Sequence, residues 1–253
     1  MSLRLLSYNI RHGGVDRQKQ IAAVINHCRP DVVILQEAVR PDIVEQLASL
    51  CQMKRSGSLR GHSVAFLSRL DISHHAWHHV RFARRRYLEL ILADSRMRLF
   101  GVHLSAVHSN VTERRRTYEL RALLRGIAEH KEGFHIVTGD FNTLAPGEHL
   151  DAAKLPPRLR AIVWMTGRTI RWTTIRLMLD AGYADGYRIF HKNDEGFTFP
   201  TRDPHVRLDY AFVPAVFAVR LTKCEVVHDA PSVREASDHF PLLTEIADAP
   251  AQG

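Results

Sequence analysis

Cysteine is scarce in this chain of 253 residues, and long apolar runs are missing. The three cysteines, Cys28, Cys51 and Cys224, are odd in number and lack the spacing of metal ligands. That pattern argues against a disulfide framework and favours a reducing compartment. No apolar run approaches the roughly 18–20 residues that a membrane-spanning helix needs, and the first residues lack the apolar centre of a signal peptide. We therefore expect a soluble, cytoplasmic protein.

Lysine is rare as well, because 29 of the 35 basic residues are arginine. Against 27 acidic residues the formal net charge is +8. Arginine can contact phosphate through two parallel hydrogen bonds, so this excess fits a polyanionic partner, although biased codon usage would produce it equally well. A hydrophobic content of 45% is that of a globular protein. We expect a single domain over residues 1–247, followed by a flexible tail over 248–253.

Hydrophobic periodicity predicts a mixture of helices and strands. Helices are predicted over residues 18–28, 41–50, 112–130 and 174–181. Strands are predicted over residues 3–10, 31–37, 63–68, 87–94, 97–104, 134–138, 207–213, 221–227 and 240–246. Several strands follow one another without a helix between them, which argues against a purely parallel sheet. The fold class is therefore α/β (α+β), with mixed sheets and helices outside, and the segment 154–172 is expected to be an inserted lid or a helix.

Six apolar strand patterns end in side chains that could bind a metal ion or a phosphate. The segments are Tyr8-Asn9, Gln36-Glu37, Val102-His103, Gly139-Asp140-Phe141-Asn142, Leu208-Asp209 and Ser237-Asp238-His239. Because strand ends in a sandwich converge on one edge, these side chains could meet there. Carboxylate oxygens favour Mg²⁺ or Mn²⁺ over zinc. Each motif alone is commonly an ordinary strand boundary or turn. All six in this order are a much stronger indication of a site that binds a metal ion or a phosphate.

With the Gly139–Asn142 and Ser237–His239 motifs in this order, the chain resembles the endonuclease/exonuclease/phosphatase superfamily. That superfamily includes pancreatic-type deoxyribonuclease, apurinic endonucleases, neutral sphingomyelinases and inositol polyphosphate phosphatases. The resemblance extends from Tyr8 to His239. It implies a four-layer α/β sandwich, in which two mixed β-sheets pack face to face with helices outside. It also implies a Mg²⁺-dependent hydrolase of phosphate esters.

The resemblance implies a catalytic role for five residues. Asp140 would position and deprotonate the attacking water, and Asn142 would orient that water or the phosphate. His239 would contact the phosphate, with its imidazole oriented by Asp209. His103 would donate to a phosphoryl oxygen or the leaving group, at a place that some relatives fill with tyrosine. Such donors stabilise the charge that grows in the transition state.

For the metal, the resemblance implies Glu37 as the principal ligand, with Asn9 and Asp238 helping directly or through water. Many nucleases of this superfamily carry an acidic residue two positions after the equivalent of Asn9, and here that position is Arg11. The substitution argues against a second metal ion. Arg11 and His12 are candidates for substrate binding instead, with a solvated loop as the equal alternative.

Several other motifs have both a functional and a structural interpretation. Arg207, next to the Leu-Asp pair, is a further candidate for substrate binding. Residues 74–79, with four histidines, are more simply a surface edge strand than a metal site. The arginine runs 84–86 and 114–116 could follow a phosphate backbone or could be solvated surface. Residues 197–200 could face substrate or pack in the core.

We therefore expect a phosphoesterase that cleaves phosphodiester bonds, with nucleic acid as the first substrate hypothesis. The first alternative is a phosphodiesterase or phosphatase of lipids or small molecules, for which residues 154–172 could contact a membrane surface. The second alternative, a phosphate-binding module without catalysis, is disfavoured because Asp140, Asp238 and His239 are all present. No protein partner is inferred.

Overall fold

The computed structural model describes residues 2–80, 86–106, 110–130, 133–148 and 172–247. The predicted tail over 248–253 lies outside these residues, as does the predicted lid over 154–172 except for Trp172. Within the described ranges, no helix is both long and apolar enough to cross a bilayer.

The described residues contain twelve strands and six α-helices. The strands are β1 (Ser2–Asn9), β2 (Val32–Gln36), β3 (Arg55–Gly57), β4 (Val64–Ser68), β5 (Ile72–His79), β6 (Arg86–Leu92), β7 (Arg98–His103), β8 (His135–Asp140), β9 (Tyr183–Asp185), β10 (Asp209–Pro214), β11 (Leu221–Val226) and β12 (Leu242–Ala247). The helices are α1 (Gln18–Cys28), α2 (Pro41–Leu50), α3 (Asn110–Gly126), α4 (Thr173–Asp180), α5 (Gly186–Phe190) and α6 (Val233–Ala236).

The strands form two mixed sheets of six. The first has the order β11-β12-β1-β2-β4-β3 and the second the order β5-β6-β7-β8-β10-β9. Strand β1 runs parallel to β2, and β7 runs parallel to β8, whereas the other neighbours are antiparallel. The central strands β2, β4, β8 and β10 are buried along their whole length, because each is covered on both faces.

The two sheets pack face to face with helices on the outer sides. Gly101 of β7 lies so close to the first sheet that a Cβ atom there would sit 2.6 Å from Cγ2 of Ile34 and 3.1 Å from Cγ1 of Val64. Helices α1 and α2 contribute to the core with the first sheet, and α3 and α4 pack beside the second. This arrangement confirms the predicted fold class, a four-layer α/β sandwich.

Most predicted elements are present, with shifted ends. The predicted bounds of α1 and α2 agree with the structure. Helix α3 ends at Gly126 and is followed by a 3-10 turn over Ala128–His130, so the predicted helix to residue 130 was too long; glycine is a poor residue for a helix interior. The histidine-rich segment is confirmed as an edge strand, β5.

The close contact at Gly101 gives a prediction about stability. Gly101→Ala should lower the free energy of unfolding by about 1–3 kcal/mol, because the added methyl group would overfill the space between the sheets. Chemical denaturation measures the change. Gly133→Ala is the matched control, because its nearest new contact would be an ordinary 3.7 Å. Equal stability of the two variants would contradict the tight packing of the sheets at this point.

Candidate active site

Strand pairing aligns three of the predicted catalytic residues in one row. Asp140 ends β8, where it pairs with His103 of β7 on one side and with Asp209 of β10 on the other. All three side chains are buried. Nε2 of His103 lies 3.7 Å from Oδ2 of Asp140. The pairing therefore places an imidazole and two carboxylates at one edge of the second sheet.

His239 joins this row from the loop that precedes β12. Its Nδ1 lies 2.8 Å from Oδ2 of Asp209, and its Nε2 lies 4.0 Å from Oδ2 of Asp140. The ring of Phe199 packs against the imidazole with centroids 4.8 Å apart. The hydroxyl of Thr198 accepts a hydrogen bond from the backbone N–H of Asp209 at 3.3 Å. These contacts leave Nε2 of His239 directed towards Asp140.

The side chain of Asn9 bridges the two sheets. Its Nδ2 donates to Oδ2 of Asp140 at 3.0 Å and lies 3.5 Å from Oε1 of Glu37. Its Oδ1 accepts from the backbone N–H of Arg11 at 2.9 Å. The hydroxyl of Ser237 donates to the backbone carbonyl of Asn9 at 2.6 Å. The amide of Asn9 thus lies between the predicted metal ligand and the predicted base.

The backbone beside these residues adopts a conformation that non-glycine residues rarely take. Arg11, His12, Glu37 and Asn142 have φ angles of 50°, 49°, 57° and 52°. Hydrogen bonds hold the strained segments, since the N–H of His12 donates to the carboxylate of Glu37. Left-handed conformations of such residues persist where the surrounding structure enforces them, often at functional sites.

Asn142 is fixed at both its backbone and its side chain. Its N–H donates to Oδ1 of Asp140 at 2.8 Å, and its Nδ2 donates to the carbonyl of Leu104 at 3.1 Å. An amide nitrogen carries two hydrogens, so Asn142 retains donor capacity beyond the bond to Leu104. Asn142 therefore orients the carboxylate of Asp140 and stands beside it.

Asp238 lies at the more exposed side of the cluster and pairs with Arg11. Nε of Arg11 is 3.3 Å from Oδ2 of Asp238, with side-chain exposures of 47% and 31%. The guanidinium of Arg17 donates to the backbone carbonyls of Arg11 and Ala236 and so fixes this loop. The cationic side chain of Arg11 therefore lies against Asp238, one of the predicted metal ligands.

Burial and neighbouring charges shift two pKa values in the cluster. Burial raises the pKa of Asp140, and the carboxylate of Asp209 adds to that effect, while His239 opposes it. Burial disfavours the charged form of His239, but the carboxylates of Asp209, Asp140 and Asp238 outweigh it and raise the pKa of His239 to about 10. At neutral pH the His239–Asp209 pair is therefore an imidazolium–carboxylate pair.

The residues at this edge fit a divalent cation. Carboxylates of Glu37 and Asp238 and the amide of Asn9 are oxygen donors of the kind that hard cations prefer. Asp140, Asp209 and His239 also have ligand atoms within 4.8 Å of one another. However, His239 and Asp209 are hydrogen-bonded to each other. Glu37 and the oxygen donors beside it are therefore the better candidates for ligands of the ion.

Arg207 is not brought to this cluster. Its side chain is 1% exposed, and its guanidinium lies 2.7 Å from Glu148 and 2.7 Å from Asp185. It also stacks on the ring of Tyr210, with its Cζ 4.3 Å from the ring centroid. These contacts bury the guanidinium of Arg207 among Glu148, Asp185 and Tyr210. Its predicted role in substrate binding therefore has no support in the structure.

Three residues that hold the cluster in place were not among the predicted site residues. Thr198, Ser237 and Arg17 act on the backbone of site residues through the hydrogen bonds described above. Ser237 had a signal, because it belongs to the motif that contains Asp238 and His239. Thr198 belongs to residues 197–200, for which the sequence left substrate contact and core packing open, and its side chain is buried. Arg17 has no such signal in the local sequence.

Comparisons with known proteins identify the family and the fold. A sequence model of the Endonuclease/Exonuclease/phosphatase family matches residues 6–239. No curated protein sequence matches the chain. Among solved structures, a variant of the 3′ phosphatase NExo from Neisseria, bound to a product DNA hairpin, has a TM-score of 0.73 at 18% identity, covering 96% of this chain and 99% of that one.

Two further structures have the same fold. An AP endonuclease from Archaeoglobus fulgidus has a TM-score of 0.71 at 18% identity, covering 98% of this chain and 100% of its own. TDP2 from D. rerio, complexed with a single-strand DNA product, has a TM-score of 0.67 at 19% identity, covering 96% and 98%. At this level of identity the likenesses show the fold.

The carboxylate of Asp209 is predicted to control the protonation of His239. In metal-free protein, Asp209→Asn should lower the pKa of His239 from about 10, because burial then acts without its main counterion, while the carboxylates of Asp140 and Asp238 remain. NMR titration of the His239 ring protons measures it. A pKa that stays near 10 in the variant would contradict the assigned pair.

Proposed function

The chain belongs to the endonuclease/exonuclease/phosphatase family and is a metal-dependent phosphoesterase, and from that premise we propose that it cleaves phosphodiester bonds in nucleic acid with Mg²⁺ or Mn²⁺. The observation that supports the proposal best is the position of Asn9. It lies between Glu37, on the metal side, and Asp140, on the side of the buried acid–base groups. Both halves of a hydrolytic site therefore face the same space.

Three residues would hold the ion: Glu37 as the principal ligand, with Asn9 and Asp238 beside it. When bound, a divalent cation offsets the negative charge of the phosphate and polarises a phosphoryl oxygen. The bond from the N–H of His12 keeps the Glu37 carboxylate in place. Arg11, paired with Asp238, supports a site for a single ion.

Asp140 is the proposed general base. Hydrogen bonds from Asn9 and from the N–H of Asn142 fix the direction of its carboxylate. Its raised pKa brings its proton affinity closer to neutral pH, where a base accepts a proton from water most effectively. Asp140 would therefore take the proton of the attacking water, while Asn142 orients the water or the phosphate.

The two histidines are the proposed donors to the phosphate. Asp209 holds His239 in its protonated form, so Nε2 carries a hydrogen that can be donated to a phosphoryl oxygen. Such a preset donor stabilises charge that develops in the transition state. His103, on the other side of Asp140, would donate to another phosphoryl oxygen or to the leaving group.

Several observations support nucleic acid as the substrate. The structural neighbours include an AP endonuclease and two proteins bound to DNA products. The chain carries a net charge of +8, and Arg11 and His12 stand exposed beside the cluster, where they would contact substrate phosphates. The alternative is a lipid or small phosphate ester, for which the basic and apolar segment 154–172 would contact a membrane.

We also propose a cytoplasmic location. Cys28, Cys51 and Cys224 are buried and unpaired, which fits a reducing compartment.

A substrate panel distinguishes nucleic acid from lipid and small phosphate esters. It consists of plasmid DNA, RNA, sphingomyelin and bis-p-nitrophenyl phosphate, each with Mg²⁺, Mn²⁺ or EDTA. Faster metal-dependent turnover of the lipid than of either nucleic acid would overturn the substrate proposal.

Loss of the base should abolish most of the activity. Asp140→Asn should lower kcat on plasmid DNA at least ~10²-fold, the smaller value typical of a lost acid–base group. Asp180→Asn, at an exposed position on α4, is the matched control and should retain full activity. Near-normal turnover by Asp140→Asn would show that another group accepts the proton.

Loss of the principal ligand should weaken metal binding itself. Glu37→Gln should raise the Kd for Mn²⁺ at least ~10-fold, because even residues that only support metal ligands change affinity by that amount. Isothermal titration calorimetry of the metal-free protein measures the Kd without any substrate. Glu45→Gln, an exposed position on α2, is the control; equal affinities would exclude Glu37 as a ligand.

A further inference from the structure

Helix α3 carries an exposed row of arginines outside the catalytic cluster. Arg114, Arg121 and Arg125 recur at intervals of seven and four residues, which places them on one side of the helix. Tyr118 lies in the same row, and Arg115 lies beside it; all five side chains are exposed. We call Arg114, Arg115, Arg121 and Arg125 the arginine row.

The arginine row has no counter-charge in the part of the chain that the structure describes. None of the four guanidinium groups has an ion pair or side-chain hydrogen bond among the described residues. The two acidic residues of the helix, Glu113 and Glu119, are both buried on its inner side. The outer side therefore has four positive charges and no negative one.

The inner side of the same helix is fixed to the catalytic loops. The carboxylate of Glu119 accepts from the N–H and the hydroxyl of Ser105 at 3.1 and 2.8 Å, two residues after His103. Arg116 donates to the carbonyl of Ser105 at 2.9 Å and pairs with Glu113 at 2.8 Å. Glu113 also accepts from Thr143, next to Asn142. These hydrogen bonds attach the first half of α3, and with it the start of the arginine row, to the residues that follow His103 and Asn142.

We propose that the arginine row binds the phosphate backbone of a nucleic acid whose scissile phosphate lies at the active site; this rests on the proposed function. From Arg114 to Arg125 the row spans about 16 Å. One DNA strand carries a phosphate about every 3.4 Å along the axis, so the row faces about five phosphates. Guanidinium groups suit bidentate contact with them.

The row fits a polymer better than a membrane surface. The leucines of α3 at positions 120 and 123 are buried in the core, so the outer side offers almost no apolar group for insertion into lipid. Its charges instead form a line along the helix axis. A linear anion that continues away from the active site matches that shape.

Binding in the absence of catalysis tests the proposal. A fluorescein-labelled 20-base-pair DNA duplex and its single strand are titrated with the full chain in EDTA, between 50 and 200 mM NaCl, by fluorescence anisotropy. Arg114→Gln/Arg121→Gln should weaken binding at least ~10-fold at the lowest salt and reduce the slope of log K against log salt by about 2. Arg114→Lys/Arg121→Lys should restore most of that slope.

The matched control removes the same charge from the opposite end of the strands. Arg29→Gln/Arg96→Gln replaces two exposed arginines, one before β2 and one in the turn between β6 and β7, and should bind as the unsubstituted chain does. Unchanged DNA binding by Arg114→Gln/Arg121→Gln would overturn the proposal, as would an equal loss in the control. If Arg114→Gln/Arg121→Gln lost binding to phosphatidylserine vesicles but kept DNA binding, the arginine row would be a membrane-binding surface instead. Absence of DNA binding by the unsubstituted chain would also overturn the proposal.

Failure of this proposal is distinguishable from failure of the proposed function. Hydrolysis of bis-p-nitrophenyl phosphate by the unsubstituted chain with Mg²⁺ reports phosphoesterase activity on an ester too small to reach α3. If the chain hydrolyses this ester but the arginine row does not contribute to DNA binding, only the proposal for the arginine row is refuted. The proposed phosphoesterase function is then unaffected.

Discussion

The hydrogen bond from Asn9 to Asp140 is the contact on which the site depends, because it joins the end of β1 in one sheet to the end of β8 in the other. The pair His239–Asp209 makes a second link of the same kind. Neither sheet alone contains both the proposed metal ligands and the proposed base, Asp140. The face-to-face packing at Gly101 therefore matters for chemistry as well as for stability.

Burying a carboxylate such as Asp140 costs free energy unless hydrogen bonds and opposite charge compensate it. Here Asn9 and the N–H of Asn142 supply the hydrogen bonds, and the imidazolium of His239 supplies the charge. The left-handed conformations of Glu37 and Asn142 add strain in the same small region. Local rules of protein structure are often broken at functional sites, and this cluster is such a place.

Much of this arrangement could be predicted from the sequence, because polar residues that end buried strands are visible as a pattern. The bounds of α1 and α2 and the edge position of the histidine-rich strand followed from periodicity and composition. Strand register did not, since the pairing of Asp140 with both His103 and Asp209 depends on contacts distant in sequence. The short elements β3, β9, α5 and α6 contain too few residues to show a period, and the direction of Arg207 is set by Glu148 and Asp185.

The proposed binding of one divalent ion at Glu37, close to Asp140 and His239, can be checked by locating that ion in the protein. Crystals grown with Mn²⁺ and measured at its absorption edge would give an anomalous difference peak. We predict a single peak bonded to the carboxylate of Glu37, on the side of Asn9 that is opposite His239. A peak bonded to Asp209 and His239, two peaks of equal height, or no peak near Glu37 at saturating Mn²⁺ would contradict the account.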